Sequence, residues 1–132
     1  LDEEESSRIE SEEGQTLVIV DYPSAEEQAD ENKTLLYTTL PMGIISTPDY
    51  VITVCIEENL TISDMAEGRV KGLQTAMKTR FLLLTLLRIA QRFLVYLKQI
   101  DKAAFVHAKQ GADPAARPGK IARIFFHIAQ VR

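Results

Sequence analysis

Residues 80–100 read RFLLLTLLRIAQRFLVYLKQI, and how this stretch is turned decides how everything else can pack. Thr85, Arg88, Arg92 and Gln99 fall three, four and seven positions apart, which places them in one polar stripe on an otherwise apolar helix. A helix this apolar must bury most of its circumference. About 20 apolar residues suffice to cross a bilayer, but Arg80, Arg88, Arg92 and Lys98 all lie inside this window, and a charge near a bilayer centre is costly. The stretch is therefore expected to lie on a sheet. Phe81, Leu84, Leu87 and Leu94 should face the strands, and the basic stripe should face water or a partner.

Upstream of the helix the sequence supplies that sheet. Residues 16–22, TLVIVDY, are rich in β-branched side chains and bounded by Gly14 and Pro23, so they read as a buried strand. Residues 24–33 are an acidic connector expected to form a hairpin loop. Residues 34–40 read as a second strand, bent at Pro41-Met42-Gly43 and resumed over 44–46. After the turn signal Thr47-Pro48-Asp49, residues 50–56, YVITVCI, give the clearest strand of the chain. Short connections imply an antiparallel meander of at least three strands. Residues 2–13 show no periodicity and suggest at most a turn or short helix. Thr61 or Ser63 is expected to cap a short helix ending near Glu67, with Asp64 in its first turn. Gly68 and Gly72 then interrupt, and a second helix should start near Leu73 and continue to about His107. The fold class expected is α+β, with an α/β/α layering and the long helix packed on the sheet.

A chain of 132 residues is long enough for one real core. Its apolar fraction of 45% is ordinary for a globular protein. The single Cys55 excludes an intramolecular disulfide and fits a reducing compartment. The abrupt start at Leu1, without Met or a leader, suggests an excised fragment. Net charge is −4 but unevenly spread. Residues 1–31 hold twelve acids against Arg8 alone, whereas from Arg69 onward thirteen Lys or Arg face two acids, Asp101 and Asp113. Such halves attract each other, within one chain or between copies.

The search for chemistry is mostly negative. His107 and His127 have no metal-ligand spacing to each other or to Cys55. Cys55, between Val54 and Ile56, reads as an inert strand thiol. Gly68-x-x-x-Gly72 lacks the Lys-Ser/Thr of a phosphate loop, and no nucleophile elbow is present. The reading is accordingly non-enzymatic. Spaced charges, few aromatics and a negative total argue against nucleic acid. Clustered carboxylates do bind hard cations such as Mg²⁺, often through water, so Glu26, Glu27, Asp30 and Glu31 are candidate ligands, with Glu10, Glu12 and Glu13 behind them. Arg88 and Arg92 are candidates for contact with a partner or another subunit. An alternative function follows from them, a soluble interaction module that docks an acidic surface on the basic stripe.

The order of the parts carries one further signal. LDEEESSRIESEEGQTLVIVDYP is followed by LLYTTLPMGIISTPDYVITVCIEEN and then by MKTRFLLLTLLRIAQRFLVYLKQID. This ordered set, covering residues 1 to about 105, resembles the cytosolic domain of the CorA family of magnesium and cobalt channels. The resemblance implies a cation-sensing regulatory domain at the cytoplasmic face of the cell membrane, hung beneath a homopentameric pore. In that family Mg²⁺ or Co²⁺ between subunits holds the closed state. The pore helices and their Gly-Met-Asn signature are missing from this chain, so membrane attachment would come through segments it does not contain. The loop after the first strand is the nearest equivalent of the interface, which favours Glu26 and Glu27.

Residues 1–108 match that pattern and residues 109–132 do not. Pro114 and Pro118 cannot continue a helix, and only residues 121–131 suggest a short amphipathic segment. Where the family reads like GLEKSLVFFSTSL, this chain reads GKIARIFFHIAQV. With codons GGA AAA ATC GCT CGT ATT TTT for Gly119 to Phe125, a one-nucleotide shift gives EKSLVF. The tail is therefore expected to be an irregular segment translated out of frame.

Overall fold

The computed structural model describes residues 1–27 and 35–110, with side chains up to residue 106. The elements are β1 (Arg8–Glu12), β2 (Gln15–Glu27), β3 (Leu35–Ser46), β4 (Val51–Cys55), α1 (Leu60–Ala66) and α2 (Lys78–Gln110). The strands form one antiparallel sheet in the order β1-β2-β3-β4. The α+β class and the meander are as expected. A first unit, Leu1–Tyr96, contains the sheet, α1 and the start of α2, and a second begins at Leu97.

β1 is a strand the sequence pattern does not announce. Its five residues are all exposed and alternate poorly. It forms because Glu13 and Gly14, at φ 49° and 79°, make a two-residue turn whose twist suits a hairpin, pairing Glu12 with Gln15. β2 and β3 are each longer than expected. β2 runs on through Pro23 into the expected loop, and β3 passes straight through Pro41. Neither proline breaks a shared ladder. β1 pairs with β2 only as far as Ile19, and β4 pairs with β3 only as far as Met42. Both prolines therefore sit where the strand has one free edge, the place a missing N–H is tolerated. The expected bend at Pro41 is absent, and the remainder of the expected 24–33 loop lies outside the described residues.

One face of the sheet carries the core. Val18, Tyr22, Leu40, Met42 and Ile44 pack with Met65 of α1, with Val70, and with Phe81 and Ile89 of α2. Among the described residues both helices cover this one face. Tyr22 also donates its hydroxyl to the Glu57 carbonyl at 3.3 Å, tying β2 to the segment after β4. The Lys78 ammonium donates to the carbonyls of Thr47 and Pro48, which pins the first turn of α2 to the β3–β4 turn. α2 accordingly begins at Lys78 rather than near Leu73.

α2 is turned differently from the expectation. Thr85, assigned to the polar stripe, is 0% exposed on the same line as Phe81 and Ile89. Leu87 and Leu94, assigned to the sheet, are 51% and 57% exposed. Phe81 is buried and Leu84 half-buried, as expected. The physical reason is local. The Thr85 hydroxyl donates to the Phe81 carbonyl of its own helix at 2.9 Å, so it needs no water. A satisfied Thr is then a small, nearly apolar residue that lets the helix approach the sheet.

Candidate functional site

Among the described residues the acidic candidates do not converge. Glu26 and Glu27 lie at the exposed end of β2, opposite Leu36 and Leu35. Consecutive strand residues point to opposite faces, so these two carboxylates do not share one. Asp30 and Glu31 lie outside the described residues. Glu10 accepts from Arg8 Nε at 2.6 Å, and Arg8 also binds Glu5, whose carboxyl it holds below its usual range. Glu12 follows on β1, and Glu13 occupies the turn. Among the described residues no three His, Cys, Asp or Glu side chains stand close enough to hold a metal ion.

The basic candidates do lead to a site. It is built around α1, a short helix fixed at both ends. The Asn59 side chain caps its start, accepting from the Thr61 amide at 2.9 Å and donating to Met42 Sδ at 3.3 Å, so the cap is also anchored to β3. Thr61 and Ser63 are thus not the caps, and Asp64 is not in the first turn. At the other end Gly68, at φ 72°, directs its amide to the Met65 carbonyl, while the Arg69 amide reaches the Asp64 carbonyl at 2.9 Å. That is the paired closure of a Schellman end, and it turns Arg69 back over α1.

The Asp64 carboxylate then bridges two helices. It accepts from Arg69 at 2.8 Å and from Arg92 of α2 at 2.9 Å, while Arg69 also binds Glu67. Arg92 is therefore engaged within the chain and half-buried, not projecting into water as expected. Arg88 is exposed and donates to Gln91 at 3.3 Å. Between α1 and α2, Asp64, Arg88, Gln91 and Arg92 line a cleft of about 280 Å³, together with Thr61 and Val95. Thr61 is 2% exposed, and its hydroxyl is a buried side-chain oxygen without a hydrogen-bond partner among the described residues.

Sequence reasoning found Arg88 and Arg92 but missed Thr61 and Asp64 as their companions. The available signal was Asn59, a strong capping residue, which fixes the phase of α1 and hence which of its side chains look toward α2. Cys55 is half-buried on β4, and burial pushes its thiol upward in pKa, in keeping with an inert role. No helix among the described residues is long and apolar enough to cross a membrane. Compared with family models, with curated proteins and with solved structures, the chain matches none.

Proposed function

We propose that this chain is a non-enzymatic regulatory portion of a CorA-like divalent-cation transporter. The observation that carries this reading is the order and extent of the elements. An acid-rich hairpin opens a four-strand meander, a short helix follows, and then comes an unbroken 33-residue α2 that starts on the sheet and runs past Tyr96. In this reading Mg²⁺, or Co²⁺, binds between subunits of a homo-oligomer, pentameric as in the family. In the same reading Glu26 and Glu27, with Asp30 and Glu31, contribute from one side of a subunit interface, and the described pair, Glu26 and Glu27, lies on opposite faces of β2. Bound cation favours a closed arrangement, its loss releases the subunits, and α2 carries the motion toward a pore encoded elsewhere. Such a switch works only through a difference in cation affinity between the two arrangements.

The test is thermal unfolding at millimolar Mg²⁺ against Na⁺ of matched ionic strength, on this chain and on the assembled parent protein. A ligand that binds only the assembled state stabilises only that state. The parent protein should gain several degrees and the isolated chain little. Equal gains in both would overturn binding between subunits, and no gain in either would overturn cation sensing.

A further inference from the structure

The α1–α2 cleft has features that neither the sheet nor the proposed cation response uses. Its charged lining is two guanidiniums, Arg88 and Arg92, against one carboxylate, Asp64. Asp64 is already shared between Arg92 and Arg69. Arg88 makes no ion pair among the described residues, and its guanidinium donates to the neutral Gln91. The cleft therefore holds an uncompensated positive charge on a residue whose planar fork suits bidentate binding of oxyanions.

A second, independent observation comes from the wall of the cleft. The Thr61 hydroxyl is buried and has no hydrogen-bond partner among the described residues, although α1 is capped by Asn59 at its start and closed by backbone bonds at its end. Most buried hydroxyls find a partner, and leaving one unmade is costly, so such a group in a native fold calls for an explanation. It cannot bond back along its helix, because α1 begins at Leu60 and no turn precedes Thr61. Thr61 itself is one of the residues lining the cleft, with Arg88, Gln91 and Arg92. The volume, about 280 Å³, suits a small ligand rather than a polymer.

We propose that the cleft between α1 and α2 is a binding site for a small oxyanion, a carboxylate or phosphate group on a low-molecular-weight ligand. Arg88 receives it bidentately, Arg92 adds charge while keeping its bond to Asp64, and the Thr61 hydroxyl donates the hydrogen bond it otherwise lacks. Gln91 steadies the Arg88 side chain, and Val95 supplies an apolar wall for the ligand's carbon skeleton. The residual positive charge of the lining matches one anionic group.

The experiment is a titration of the full 132-residue chain with inorganic phosphate and, separately, with acetate, at constant ionic strength held by chloride. The readout is the nuclear magnetic resonance shift of the Thr61 and Asp64 amides and of the Arg88 Nε–H group. Saturable shifts with phosphate or acetate, but not with chloride, are expected. A stronger response to phosphate assigns a phosphate-bearing ligand, and a stronger response to acetate a carboxylate. Arg88→Gln should weaken binding about tenfold or more, the scale of a charged hydrogen bond, without lowering the unfolding temperature. Thr61→Val keeps shape and should keep the fold, yet weaken binding severalfold. Unsaturable shifts, equal shifts with chloride, or an affinity unchanged in both variants would overturn the proposal. Binding that appears only as the chain self-associates would overturn it too, since the occupant would then be an acidic side chain of a second copy.

Discussion

At the residue scale, the buried polar and titratable groups tell most about how the core tolerates chemistry. Thr85 illustrates why hydropathy alone misplaces a side chain. Its hydroxyl is satisfied by the Phe81 carbonyl, so burial costs little, and the polar stripe read from residues 80–100 was partly a core stripe. Nothing in the residue types distinguishes a Thr that bonds its own helix from one that meets water. Cys55 and Tyr22 lead to a pH prediction. Burial is the largest cause raising both pKa values, and Tyr22 is raised further by the Cys55 charge. Above the ordinary range of each group, the unfolded chain releases a proton that the folded chain retains. Stability must then fall with rising pH, because the unfolded state binds fewer protons. The urea midpoint should be flat near neutrality, decline as pH passes about 8.5, and decline again past about 10. Cys55→Val should remove the first decline and leave the second. A midpoint that rises with pH through this window would contradict the burial of both groups.

At the scale of elements, α2 was legible as a helix and illegible in its rotation. Residues 80–100 have apolar side chains on nearly every face, so periodicity fixes the helix but not the side that packs. What fixes the side is tertiary: the Lys78 contacts to the β3–β4 turn, and the Asp64–Arg92 pair that draws α2 onto α1. β4 and the first half of β2 were legible because their β-branched runs are bounded by turn residues. β1 was not, because RIESE offers a single apolar residue and owes its strand to the Glu13-Gly14 turn. The rotation is tested by paired truncations. Ile89 is 3% exposed, so Ile89→Ala should cost about 2–5 kcal/mol in lost transfer energy and residual cavity. Leu87 is 51% exposed, so Leu87→Ala should cost about 0.5 kcal/mol or less. Arg92→Ala should cost about 1 kcal/mol at most, as a partly exposed pair, and Arg88→Ala less. Chemical denaturation of the four variants checks the order. If Leu87→Ala is the most damaging, α2 presents the opposite face to the sheet.

At the scale of the whole molecule, large apolar side chains are exposed both on α2 and on the sheet. Leu83, Leu87 and Leu94 are exposed along α2, and Ile52 and Val54 on the sheet face away from the helices. Contiguous exposed apolar residues mark surfaces made to be covered. They accord with the reading of this chain as part of a larger transporter assembly, in which other segments or subunits complete the packing. The acidic candidates were legible only as a run. Their geometry shows that Glu26 and Glu27 point apart, and a site made between subunits has no signature within one chain. The basic cleft was half legible, because Arg88 and Arg92 lie on one helix whereas Thr61 and Asp64 come from another. The proposed role as the regulatory portion of a CorA-like transporter is tested by sequencing the DNA that encodes residue 109 and the bases beyond it. A frame shifted by one nucleotide should read EKSLVF or close to it, continue as helix, and reach an apolar span ending in Gly-Met-Asn. A coding strand with no such reading and no apolar span downstream in any frame would contradict it.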